Sequence, residues 1–147
     1  MIPTESPASV PGVVLDTNAT LDWLVFGNPG MALLSAAIQG GMVRWLACPR
    51  MREELSRTLS YASLARWNPD SERTLTCFDR WANIQPDPIR TVIGPLICTD
   101  PDDQIFMDLA LEGSTRWLVT HDRALLKLRR PAAIRGLQIL QPALWAA

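Results

Sequence analysis

The chain has 147 residues, 48% of them apolar and 20% charged, with a formal net charge of −1. That length and composition suit one domain with a single sizeable core and exclude extended disorder. The near-neutral charge excludes a surface that attracts nucleic acid all over. No apolar run approaches the ~18–20 residues that cross a bilayer, and the first residues lack the basic-then-apolar order of a signal peptide.

Residues 1–11, with Pro3, Pro7 and Pro11, read as a flexible tail ahead of a single domain over 12–147. Val13-Val14-Leu15 is a short apolar run of the kind that forms a buried strand, and it ends at Asp16. A helix through Leu21, Trp23, Leu24 and Val25 follows, with Asn18 or Thr20 as its N-cap. Gly27-Asn28-Pro29-Gly30 breaks the pattern. A second helix runs from Met31 to Gln39, with Leu33, Leu34, Ala37 and Ile38 on one face, and Gly40-Gly41 ends it. Met42 to Ala47 is a strand, and Pro49 opens a helix to Leu59, as proline does in a first turn. A further helix spans 70–83. Thr91 to Ile93 is a weak strand, and Asp102 to Glu112 a helix stopped by Gly113. Trp117 to Thr120 is a second buried strand, close to Asp122. A short helix at 124–128, a strand at 137–140 and a last helical turn at 142–145 complete the chain. Strands alternate with helices, so the fold class is α/β with a mostly parallel sheet.

Cys48, Cys77 and Cys98 are odd in number and far apart, which argues against a disulfide framework or a zinc site. They read as small core residues in a reducing compartment, so a cytoplasmic location is expected.

The two apolar strands end alike, in Val-Val-Leu-Asp at 13–16 and Leu-Val-Thr-His-Asp at 118–122. In open parallel sheets, sites form beyond the carboxyl ends of strands, so Asp16 and Asp122 are expected at one sheet edge. Between them, Asp100, Asp102 and Asp103 open a helix. Helix capping accounts for one or two such acids, and the third is surplus. After Pro49, Met51, Leu55 and Leu59 form the buried stripe. Glu54 adjoins it, and Glu53 faces Arg57 as a surface pair. Acids gathered without matching cysteines or histidines suit a hard divalent cation such as Mg²⁺ or Mn²⁺. His121, the sole histidine, has no evident partner. Five cations, Arg123, Lys127, Arg129, Arg130 and Arg135, crowd one stretch: either a solvated helix face or a patch for phosphates.

Taken in order, Val-Val-Leu-Asp-Thr-Asn at 13–18, Pro-Arg-Met-Arg-Glu-Glu-Leu at 49–55, Asp-Pro-Asp-Asp-Gln-Ile-Phe-Met-Asp-Leu-Ala-Leu at 100–111, Leu-Val-Thr-His-Asp-Arg-Ala-Leu-Leu at 118–126 and Ile-Leu-Gln-Pro-Ala-Leu-Trp at 139–145 resemble the PIN domain, in particular the toxin-like branch of bacterial toxin–antitoxin pairs. The resemblance implies a three-layer α/β/α sandwich whose acids bind Mg²⁺ or Mn²⁺ and cleave RNA. It selects Asp16, Glu54, Asp103 and Asp122 as the catalytic and metal-binding set, Glu54 over Glu53 and Asp103 over Asp102. It makes Asn18 and Thr120 supporting residues and Asp100 an accessory acid. It also favours Arg123, Lys127, Arg129 and Arg130 as contacts to the RNA backbone.

The expected function is therefore a metal-dependent endoribonuclease, the toxin of a toxin–antitoxin pair, with RNA, an antitoxin and a second copy of the chain as partners and no membrane. Alternatives are a non-catalytic PIN-like binding module and a Mg²⁺-dependent phosphoacceptor receiver domain. The receiver lacks support because its late strand lysine has no counterpart: the only lysine, Lys127, falls in a helix. Six tryptophans are many for a small core, and Trp67 and Trp81 are the ones expected near the surface.

Overall fold

The structure, a computed structural model, describes residues 10–89 and 96–146. Most of the expected tail and the weak strand at 91–93 lie outside the described residues. Among the described residues five parallel strands form one sheet: β1 (Gly12–Leu15), β2 (Arg44–Ala47), β3 (Ala82–Ile84), β4 (Trp117–Val119) and β5 (Gln138–Leu140). Their spatial order is β3-β2-β1-β4-β5. Val13 pairs with both Trp45 and Trp117, which puts β1 at the centre. The continuous apolar character of β1 and β4 follows from burial on both faces, as parallel sheets require.

The helices are α1 (Thr17–Leu24), α2 (Ala32–Gln39), α3 (Pro49–Thr58), α4 (Ser71–Trp81), α5 (Gln104–Glu112), α6 (Arg123–Leu126) and α7 (Arg129–Ile134). From β1 the chain moves outward through β2 to β3, then returns past β1 to β4 and β5. Right-handed crossovers then place α1 to α4 on one face and α5 to α7 on the other. The result is the expected α/β/α sandwich, with its topological switch point between β1 and β4.

Three local readings change. The strand β3 begins where a helix was expected to continue to residue 83. Ala82 has extended backbone angles, and its partner is Trp45 of β2. A three-residue edge strand carries no period of its own, so only the neighbour reveals it. A second short helix, α7, follows α6, and Pro131 fits its first turn because the amides there have no intrahelical acceptor. On α2 the face toward the core is carried by Leu34 and Ile38, while Leu33 is exposed.

Aromatic side chains fill the space between sheet and helices. Trp45 is fully buried, with Trp23 at 5.3 Å and Phe78 edge-on at 5.0 Å. Trp117 is buried against Trp145. Trp67 is 44% exposed and rests on Phe26, and Trp81 is half-buried beneath Arg80. Cys48 and Cys98 are buried, Cys77 is half-buried, and all three are free. Each fully buried large apolar side chain stabilises the fold by about 1.5–3 kcal/mol. Among the described residues no single helix is long and apolar enough to cross a membrane.

Candidate metal centre

Asp16 is the first residue past β1 and the N-cap of α1, a position the sequence pattern had given to Asn18 or Thr20. Its Oδ1 accepts the Ala19 amide at 2.8 Å, and its Oδ2 accepts the Thr120 hydroxyl at 2.5 Å. Thr120 itself accepts the Asp122 amide at 2.8 Å. One fully buried hydroxyl therefore joins the carboxyl ends of β1 and β4, where the two aspartates emerge together. Thr120 is the residue for which the resemblance implies a supporting role. Asn18 lies exposed at the rim of the same cleft, and no hydrogen bond joins it to Asp16.

Asp122 caps α6 by accepting the Ala124 amide at 2.7 Å, and Asp100 caps the following turn by accepting the Asp102 amide at 3.0 Å. Asp100, Asp103 and Asp122 each offer an oxygen, and these lie within 4.8 Å of one another. Asp100, expected only as an accessory acid, belongs to this trio. Asp16 and Glu54 line the adjoining open cleft of about 300 Å³ together with Asp103 and Asp122. Asp102 is exposed and turns to a second cleft.

Burial and mutual repulsion dominate the electrostatics of the cluster. Burial is the largest influence on Asp103. Contact with Asp122 and the charges of Asp122, Asp100 and Asp16 add to it, and together they push the carboxyl up to about 8. Its Oδ2 is buried without a hydrogen-bond partner among the described residues. Burial also raises Asp16 to about 6, against the lowering effect of the Thr120 and Ala19 bonds. Glu54 is raised by burial too, with the Thr17 hydroxyl and the charge of Arg57 opposing and Asp102 and Asp100 reinforcing. No arginine or lysine forms an ion pair with these acids among the described residues. An oxygen-only donor set of this kind, with an unpartnered buried oxygen, fits a hard divalent cation.

Two features escaped the sequence pattern. Gln104, directly after the acids, is buried. Its Oε1 accepts the Cys98 amide, and its Nε2 donates to the Leu96 carbonyl and to Asp108 Oδ1. It pins the segment carrying Asp100 onto α5, and the only local hint was a polar residue in an otherwise apolar helix start. His121 does have a partner: its Nε2 lies 2.7 Å from Oδ2 of the buried Asp22 on α1. That contact ties the loop bearing Asp122 to the first helix. The surface pair expected of Glu53 and Arg57 does not form. Arg123, Lys127, Arg129 and Arg130 are all exposed on α6, α7 and the turn between them.

A comparison with curated proteins finds no match. The family model of the PIN domain matches residues 12–124, a span that contains β1, β4 and every acid of the cluster. PIN domains are in general metal-dependent nucleases, and acids gathered at the switch point of a parallel sheet are what that chemistry asks of the fold. On this match the chain belongs to the PIN-domain family.

Proposed function

We propose that this protein is a metal-dependent endoribonuclease that hydrolyses RNA phosphodiester bonds. The observation that carries the reading is the convergence of Asp16, Glu54, Asp103 and Asp122 on one open cleft, with Asp100 beside them. Asp100, Asp103 and Asp122 would hold the cation, which is Mg²⁺ or Mn²⁺ in this reading, with Asp16 completing the set. Once bound, a divalent cation supplies a more acidic water and offsets charge on the scissile phosphate. Thr120 and Ala19 fix the orientation of the Asp16 carboxylate at the wall of the cleft. Glu54, half-buried and with a raised proton affinity, is placed to orient a water and take its proton.

The finer reading, a cytoplasmic toxin held by an antitoxin and acting as a homodimer, rests on the likeness of the 13–18, 49–55, 100–111 and 118–126 segments to toxin-like PIN domains. Exposed Leu33, Met42, Ile134 and Leu144 are compatible with protein partners. A short upstream reading frame whose product co-purifies with this chain and blocks its activity would support that role.

The decisive test is cleavage of a mixed-sequence, end-labelled RNA with Mg²⁺ or Mn²⁺. Asp16→Asn is expected to abolish cleavage while the circular dichroism spectrum stays unchanged. Full cleavage by that variant, after removal of contaminating nucleases, sinks the assignment.

A further inference from the structure

The helix α3 carries a second stripe beside its buried one. Arg50, Glu54 and Arg57 follow one another at helical spacing, and Tyr61 continues the line one turn later. These four side chains line a cleft of about 340 Å³ that also contains Glu53 and Asp102. Glu54 and Tyr61 line the acidic cleft as well, so the two clefts adjoin at these side chains. Neither Arg50 nor Arg57 forms an ion pair among the described residues, although carboxylates line the same walls. Tyr61, the only tyrosine, is 54% exposed, so its ring is open to a flat partner. By contrast, Arg129 and Arg130 line neither of these two clefts.

We propose that Arg50, Arg57 and Tyr61 form a subsite for single-stranded RNA flanking the scissile phosphate, an inference that rests on the nuclease reading above. The guanidiniums hold backbone phosphates, for which their fork geometry is suited. The exposed ring of Tyr61 is a platform for an unpaired base, and stacking of that kind requires a single strand. Glu53, Glu54 and Asp102 repel a polyanion, so the subsite fills best when a divalent cation offsets the charge of the neighbouring cluster. Binding of RNA is therefore expected to strengthen with Mg²⁺.

The test uses the full chain carrying Asp16→Asn, so that the RNA survives, and reads the anisotropy of a short labelled single-stranded RNA in Mg²⁺. Arg50→Ala/Arg57→Ala is expected to weaken binding at least tenfold. It should also reduce the slope of log K against log salt by about 1.4, at about 0.7 for each phosphate no longer neutralised. Tyr61→Ala is expected to weaken binding several-fold and Tyr61→Phe to bind like its parent, because stacking needs only the ring. Arg129→Ala/Arg130→Ala removes the same charge elsewhere and serves as the comparison. The proposal is overturned by a parent that does not bind single-stranded RNA. It is equally overturned if the Arg50/Arg57 variant loses no more than the Arg129/Arg130 variant while Tyr61→Ala changes nothing. Wild-type protein that fails to cleave, with the Arg50, Arg57 and Tyr61 effects intact, would overturn the nuclease reading and leave the subsite standing.

Discussion

Replacing Thr120 by valine removes one hydroxyl from a fully buried side chain of nearly the same shape. Two hydrogen bonds disappear: the donation to Asp16 Oδ2 at 2.5 Å and the acceptance from the Asp122 amide at 2.8 Å. At pH 7.5 Asp16 is ionised, since its carboxyl titrates at about 6. A bond to a charged group contributes about 1.5–3 kcal/mol and an ordinary one about 1, so the loss is about 2.5–4 kcal/mol. At pH 5 Asp16 is protonated, both bonds are of the ordinary kind, and the loss falls to about 2 kcal/mol. Urea unfolding of the metal-free protein at the two pH values reads both numbers. Thr120→Ser keeps the hydroxyl and is expected to recover most of the difference. A loss below about 0.5 kcal/mol at pH 7.5, or one that does not shrink at pH 5, would show that Thr120 is not the clamp between the two strand ends.

Asp103→Asn removes the charge that fits least well in the metal-free cluster. It is expected to raise the melting temperature at pH 8 without metal and to abolish the further rise on adding Mn²⁺; an undiminished Mn²⁺ response would contradict the assignment of this residue. The wild-type chain without metal is expected to gain stability as pH falls. Asp103 and Asp16 bind protons more tightly folded, at about 8 and about 6, than at the ordinary 3.8. The gain therefore begins as pH drops through about 8, grows through about 6 and is complete below 3.8. For Asp16 alone it amounts to about 3 kcal/mol. Saturating Mn²⁺ competes with those protons, so its stabilising effect is expected to be larger at pH 8 than at pH 6. Melting curves that rise with pH in metal-free buffer would refute the sign. Leu118→Ala, in the fully buried centre of β4, is expected to cost about 2–5 kcal/mol by chemical unfolding, with Leu118→Ile costing much less.

The strand ends at Asp16 and Asp122 could be read from the chain alone. Val13-Val14-Leu15 and Trp117-Leu118-Val119 are apolar throughout, and such runs make buried parallel strands whatever their neighbours. Their carboxyl ends must then open at one sheet edge. The helix after Pro49 and its buried stripe were equally local, because proline, Met51, Leu55 and Leu59 act within a few turns. Choosing Glu54 over Glu53 and Asp103 over Asp102 needed the family resemblance, since spacing leaves each pair nearly equivalent. What no local pattern contains is the closure of the site. Strand order places β4 beside β1, and only then does the Thr120 hydroxyl, 104 residues away in sequence, reach Asp16. The same closure brings His121 to Asp22, 99 residues apart, and makes Asp100 a member of the trio with Asp103 and Asp122. Periodicity and capping are properties of consecutive residues, whereas the distance between two carboxylates is set by crossovers and packing that join remote segments, so the chain declares its acids and the tertiary fold decides which of them meet.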